Sequence, residues 1–266
     1  MNKYLRGILM IFFIGMLCYS GYQLFSIAVG YAEGSKLYDD VAQQAVVSAS
    51  SSLPASSTPA EISSAPAVSK TEKDKNAIPL SINFDALWKK NQDVVGWIYL
   101  EDTPISYPVV QSEDNEYYLR RMLDGTRNDS GTIYMDYRND DAMTDEGTYI
   151  YGHNMKNRAM FGILPKYSEQ AFYEEHPVIW YFTPDHAYRI EPIAAMVVDP
   201  TSDVYNMISM EKDELAQQVE WLVSQSDFET AVELSEIEQI VTLSTCSYDY
   251  DDARYVVVGS LTMAER

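Results

Sequence analysis

Two apolar runs near the C-terminus decide how this chain folds: Ile240-Val241-Thr242-Leu243-Ser244-Thr245-Cys246 and Arg254-Tyr255-Val256-Val257-Val258-Gly259-Ser260-Leu261. Both are dense in β-branched residues, the composition of strands packed on a pleated surface. The first turns polar just before its thiol. The second opens on a guanidinium. A lone thiol with an arginine nearby is a candidate nucleophile with an anion stabiliser. A lone Cys at a strand end is equally at home as a small buried hydrophobe.

Working outward, six further stretches carry the same signature: Val95–Leu100, Pro104–Val110, Gly131–Asp136, Gly147–Gly152, Pro177–Phe182 and Ala187–Val198. With Gln239–Thr245 and Arg254–Leu261 they make eight expected strands, punctuated by Gly, Asn, Asp and Pro. Many short strands in one domain predict a mainly β sandwich or barrel. Helices are fewer. Phe84, Leu87 and Trp88 share one face of a short helix over 82–91, with Ser81 or Asn83 as its cap. A second helix is expected over Asp114–Leu123. The clearest is Met210–Ser226, with Leu215, Val219, Leu222 and Val223 on one face and Glu211, Asp213 and Glu214 at its start.

The first 79 residues read differently. Lys3 and Arg6 precede an apolar stretch from Gly7 to Ala32, long enough for a membrane-spanning helix. Glu33, Asp39 and Asp40 follow it, so the positive-inside rule puts the N-terminus in the cytoplasm and the rest outside. A cleaved signal peptide needs a shorter apolar core and a small-residue site, and neither is present. Cys18 does not read as a lipoprotein signal, because Leu17 stands where a small residue belongs. Residues 1–41 are therefore expected to hold a cytoplasmic tip, an anchor and a juxtamembrane segment. Residues 42–79, rich in Ser, Ala and Pro, read as a stalk. Residues 80–266 read as one extracellular domain.

Residues 1–79 carry six basic and six acidic side chains, so the whole net charge of −21 belongs to that domain. Such a charge disfavours nucleic acid as a partner and is explained by solubility. With Cys18 in the anchor, Cys246 has no disulfide partner within the domain. Of the three histidines, His176 sits before Pro177 at a helix-to-strand junction and His186 in a turn, and both read as ordinary surface or turn residues. His153 ends the run Thr148-Tyr149-Ile150-Tyr151-Gly152 and opens a loop, a placement that projects a side chain into a cleft. No metal site is expected. The zinc-ligand spacing is missing, and neither Asn139-Asp140-Asp141 nor Asp249-Tyr250-Asp251-Asp252 has the spacing of a calcium loop.

Cys246, His153 and Arg254 make a candidate single site: a thiolate nucleophile, an acid/base and an oxyanion holder. Asp249, Asp251 and Asp252 oppose it unless they face solvent.

The run Thr242-Leu243-Ser244-Thr245-Cys246, with Arg254 at the next strand, resembles the active-site signature of sortases, the membrane-anchored cysteine transpeptidases of Gram-positive bacteria. Five more segments are similar to class B sortases: 91–98 (Asn-Gln-Asp-Val-Val-Gly-Trp-Ile), 107–111 (Tyr-Pro-Val-Val-Gln), 114–119 (Asp-Asn-Glu-Tyr-Tyr-Leu), 131–136 (Gly-Thr-Ile-Tyr-Met-Asp) and 151–154 (Tyr-Gly-His-Asn). They run in consistent order from Phe84 to Leu261. The resemblance implies an eight-stranded sortase-type β-barrel with a few flanking helices and an N-terminal transmembrane helix. It implies that Cys246 attacks a sorting signal after Thr, that an amine of a peptidoglycan precursor resolves the thioester, and that surface proteins bearing such signals are the substrates. By position, His153 is the acid/base and Arg254 the oxyanion or orienting group. Ser244, Thr245, Tyr151, Asn115 and Leu119 match substrate-groove positions. The Met210–Ser226 helix would wall the groove, with Tyr205 and Ile208 as its candidate contacts. No cofactor or metal is implied. A pilin-polymerising sortase, a plain cysteine protease and a non-catalytic wall-facing binding module are the competing readings.

Overall fold

The computed structural model describes residues 3–48 and 77–264. Its centre is a closed eight-stranded barrel. In chain order the strands are β3 (Val94–Tyr99), β4 (Ser106–Val110), β5 (Ile133–Met135), β6 (Gly147–Tyr151), β7 (Ile179–Phe182), β8 (Ala187–Val198), β9 (Ile240–Cys246) and β10 (Arg254–Met263). Their order around the barrel is β10-β8-β7-β3-β4-β5-β6-β9. All eight lie where the β-branched runs placed them. The pairs are antiparallel except β4 with β5 and β6 with β9, which run parallel.

The inward-facing residues alternate along each strand, as a two-residue period demands. Ile98, Tyr181, Ile133, Val241, Leu243 and Val257 fill the interior. The outer face of β8, β9 and β10 would be apolar too, and a second cluster covers it. Helix α4 (Lys212–Ser224) lays Leu215, Val219 and Leu222 over Ile240, Val256 and Val258. This helix is the expected one, two residues shorter at each end.

The other helices depart further from expectation. Helix α2 (Phe84–Trp88) is capped by Asn83, whose side chain accepts from the Ala86 N–H at 3.0 Å. Helix α3 (Gln170–Glu175) precedes β7 and ends at His176, the expected helix-to-strand junction. The helix expected over Asp114–Leu123 does not form. Asp114 instead accepts from the main-chain N–H groups of Glu116 and Tyr117, a local turn that competes with helix. Only a 3-10 turn at Tyr118–Arg120 follows. Tyr118 and Leu123 are both buried, and five residues apart they cannot share one helix face. The Gly131 φ of +58° and the approach of its Cα face to the Leu119 carbonyl, 2.6 Å from a built Cβ, close this segment onto β5.

Helix α1 (Lys3–Ala45) is 43 residues long and contains the stretch apolar and long enough to cross a membrane. Along Phe12–Val29 its residues are exposed on every side. Its C-terminal third is not. Gly30, Gly34, Tyr38, Val41 and Ala45 recur at intervals of three and four, and that stripe packs on the barrel. The Tyr38 hydroxyl donates to the Gly131 carbonyl at 2.6 Å, and its ring meets Tyr107 edge-on. The Asn128 carboxamide donates to the Gly30 carbonyl at 3.0 Å. After α1, β1 (Val46–Ser48) pairs antiparallel with β2 (Leu80–Ile82). Residues 42–48, expected to open a stalk, therefore belong to the folded body. The reason is the buried stripe, which the Ser/Ala/Pro composition further on obscures. Of the remainder of the expected stalk, residues 49–76 lie outside the described residues and 77–79 lead into β2.

Candidate active site

Strands β9 and β10 carry the thiol and the guanidinium as direct partners. Arg254 and Cys246 face each other in the antiparallel register, which sets the two side chains on one face. Strand β6 delivers His153 to the same end. Tyr151 pairs with Ser244 in the parallel ladder, and the Gly152 N–H donates to the Ser244 carbonyl at 3.1 Å. Cys246, His153 and Arg254 are each half-buried. Their meeting is a product of topology: 92 residues separate the Asn154 carboxamide from the Cys246 carbonyl it donates to at 2.8 Å.

The imidazole is held from outside the strands. Its Nε2 lies 2.6 Å from the Leu119 carbonyl. Because a carbonyl only accepts, Nε2 carries a proton in this arrangement. The Arg254 guanidinium reaches back to its own loop, where Nη1 donates to the carbonyls of Asp252 at 2.7 Å and Ala253 at 3.2 Å. No further side-chain bond of Arg254 to the protein is described. Asp249, Asp251 and Asp252 are all exposed, and the Asp249 carboxylate accepts from the Ser247 hydroxyl. No described ion pair joins them to Arg254.

Beneath the thiol lies a polar and aromatic floor. Asp136 has no exposed surface and accepts five hydrogen bonds. Its Oδ1 takes the Arg138 main-chain N–H at 3.0 Å and Nε at 2.9 Å. Its Oδ2 takes Arg138 Nη2 at 2.9 Å, the Tyr151 hydroxyl at 2.9 Å and the Asn115 carboxamide at 3.0 Å. Burial works against the charge, but the Arg138 bonds and the Tyr151 and Asn115 donors outweigh it and hold the carboxyl below its ordinary range. Tyr151 stacks on Tyr205, whose hydroxyl is 2.8 Å from Ser244 Oγ. Burial, and then the neighbouring Asp136 carboxylate, push the Tyr151 phenol up, so it is a hydrogen-bond donor at any physiological pH.

Of the expected groove residues, Ser244, Tyr151, Asn115 and Leu119 gather here. Thr245 does not. Adjacent strand residues point to opposite faces, and Thr245, paired with Tyr255, faces the barrel interior. His176 is packed against Phe172, and His186 sits in a turn closed on Thr183. A concavity of about 950 Å³, lined in part by Trp88, Asp141, Met143 and His186, touches none of Cys246, His153 and Arg254. Among the described residues no cluster of His, Cys, Asp and Glu is arranged to hold a metal. Asp136 and Asn154 were missed in the sequence. An acid directly after an apolar run with an arginine two places on, and a carboxamide directly after a candidate histidine, were the available signals.

A mixed eight-stranded barrel that presents a thiol opposite a guanidinium at one strand end defines a class, that of the sortase-type cysteine transpeptidases. The family model for the Sortase domain matches residues 98–262. The protein Sortase B of Listeria monocytogenes is 37% identical over 179 residues, covering 66% of this chain and 72% of that protein. The Staphylococcus aureus sortase B–substrate complex superposes with a TM-score of 0.63 at 31% identity, over 68% of this chain and 85% of that one. A sortase B complexed with triglycine gives 0.62 at 32% identity, over 68% and 86%. The chain belongs to the sortase family, and its relatives are class B enzymes.

Proposed function

We propose that this chain cleaves a C-terminal sorting signal after Thr, holds the protein as a thioester on Cys246 and transfers it to an amine of a peptidoglycan precursor. The observation that carries this reading is the register that sets Arg254 opposite Cys246, with Asn154, the neighbour of His153, tied to the end of the same strand. The Cys246 thiolate adds to the Thr carbonyl carbon, and the carbonyl electrons move to oxygen, where Arg254 N–H groups stabilise the oxyanion. The C–N bond then breaks and protonated His153 gives its proton to the departing amine. An acceptor amine attacks the thioester, His153 takes its proton, and the thiolate leaves. Ser244, Tyr151, Tyr205, Asn115 and Leu119 form the walls along which the signal lies. Complexes of sortase B with a substrate and with triglycine support a peptide donor and an amine acceptor.

In this reading α1 is a single-pass anchor with its N-terminus in the cytoplasm, and residues 80–266 form the extracellular catalytic domain. Lys3 and Arg6 before the apolar stretch, and Glu33, Asp39 and Asp40 after it, support that orientation. The test incubates the full chain with sorting-signal peptides and an amine. Expected are a peptide–amine product and a hydroxylamine-sensitive adduct on Cys246, both lost in Cys246→Ala. Hydrolysis that no amine diverts would mark a plain protease, and continued processing by Cys246→Ala would remove the thiol from the mechanism.

A further inference from the structure

The parallel ladder between β6 and β9 repeats every two residues. Its last main-chain rung on one side is the Gly152 N–H on the Ser244 carbonyl at 3.1 Å. The next rung in that series would run from the Asn154 N–H to the Cys246 carbonyl. The main chain does not make it. The Asn154 carboxamide does, with Nδ2 donating to the Cys246 carbonyl at 2.8 Å. A side chain thus extends the ladder by one rung after the backbone has left it.

The freed backbone turns at once. The His153 carbonyl accepts from the N–H groups of Met155 and Phe161, each at 3.1 Å, and Asn154 bridges to Met160. Arg158 and Met160 take left-handed conformations to close this loop. His153 therefore stands between two contacts to β9, one on Ser244 and one on Cys246. On the far side of the thiol, the Tyr248 hydroxyl donates to the Asn154 carbonyl at 3.1 Å. Asn154 binds the strand end that carries the thiol and is bound by the loop that follows it.

We propose that Asn154 is the positioning residue of the thiol–imidazole pair. Its carboxamide stands in for a missing backbone rung, so that the chain can swing His153 out of the sheet while its distance from Cys246 stays fixed. The inference rests on the transpeptidase reading above. It concerns geometry between protein groups, so its signature lies in the chemical step and not in substrate affinity.

The test is Asn154→Ala in the full chain in detergent, assayed with a sorting-signal peptide. A displacement of about 1 Å at a reacting pair costs on the order of a hundredfold. The expected result is a kcat about 10- to 100-fold lower with KM within about threefold. In a His153→Ala background the same substitution should cost less than about threefold, because nothing is left to position. Equal losses in both backgrounds would reduce Asn154 to a structural residue and overturn the proposal, as would a raised KM with kcat intact. Asn154→Asp keeps the size but turns an acceptor toward the Cys246 carbonyl. It should lose at least as much, and a wild-type kcat there overturns the proposal even if the alanine variant does not fold. If the wild type processes no peptide, the transpeptidase reading has failed, and a second readout still decides the role of Asn154. Alkylation of Cys246 by iodoacetamide should be at least about threefold slower in Asn154→Ala, with no such effect in the His153→Ala background. Unchanged rates would refute the coupling.

Discussion

Replacing Asp136 by Asn keeps the side chain's shape and removes its charge. The wild-type carboxylate receives five donors and offers none. An Asn amide turned toward Oδ1's place would oppose the Arg138 main-chain N–H and Nε. Turned toward Oδ2's place, it would oppose Arg138 Nη2 and the Asn115 carboxamide, while the Tyr151 hydroxyl can rotate to accept. The second orientation loses less. One charge-assisted bond, about 1.5–3 kcal/mol, goes with it, and one buried donor is left unmade at about 1–3 kcal/mol. Part of that returns, because the Arg138 side chain is 40% exposed and rehydrates. The net expectation is a loss of about 2–4 kcal/mol. Urea unfolding of the full chain in mild detergent measures it. With a slope of about 2 kcal/mol per molar, the midpoint should fall by about 1–2 M at unchanged slope. The sign of the pH dependence follows from the lowered carboxyl. Stability from this group is present above the unfolded value, about 3.9, and is lost as the pH falls through the folded one. The gap between wild type and Asp136→Asn should therefore narrow below about pH 4. A midpoint shift under about 0.3 M, or a gap constant down to about pH 2.5, would refute the assignment of Asp136 as a paired buried charge.

His153→Ala and Arg254→Ala should each lower peptide turnover by about two orders of magnitude or more, while circular dichroism shows the barrel intact. Unfolding of either variant would remove its assigned role. Tyr205→Phe keeps the ring stacked on Tyr151 and deletes the hydroxyl at Ser244, so kcat/KM should fall about three- to tenfold, read by peptide cleavage. Tyr38→Phe leaves the Gly131 carbonyl and Thr132 hydroxyl without their buried partner and should cost about 1–3 kcal/mol, seen as a lower thermal midpoint. No shift would mean that the α1 stripe is held by apolar packing alone.

The strands were legible because β-branched runs bounded by turn residues report local physics. The pair that carries Cys246 and Arg254 needs only seven residues of loop between its ends, so the register that joins them is a local matter too. His153 required the parallel pairing of β6 with β9, which no local pattern encodes. Resemblance to a family supplied what periodicity could not. The segment Asp114–Leu123 forms no helix because its first residue spends its carboxylate on a turn. Thr245 was placed in the groove by analogy, although strand alternation with Cys246 already argued for the other face. Asp136 gathers partners from positions 115, 138 and 151, and only the folded chain brings those together. The docking of α1 was hidden for a different reason. Gly30 and Gly34 carry no side chain to mark a buried face, and what they contribute is close approach.

That docking bears on how substrates arrive. The exposed apolar stretch Phe12–Val29 spans about 27 Å at about 1.5 Å per residue, close to a bilayer's hydrocarbon thickness. The next residue, Gly30, already touches the body, at Asn128 in the segment before β5. With α1 in a membrane as proposed, the catalytic body has no tether along which to roam. It rides at the lipid surface and drifts with its anchor in two dimensions. Donor and acceptor that are themselves held in the bilayer would meet it by lateral diffusion, a search over an area and not a volume. An acceptor fixed in the mature wall, beyond the reach of a body held flush to the lipid, would never enter the groove.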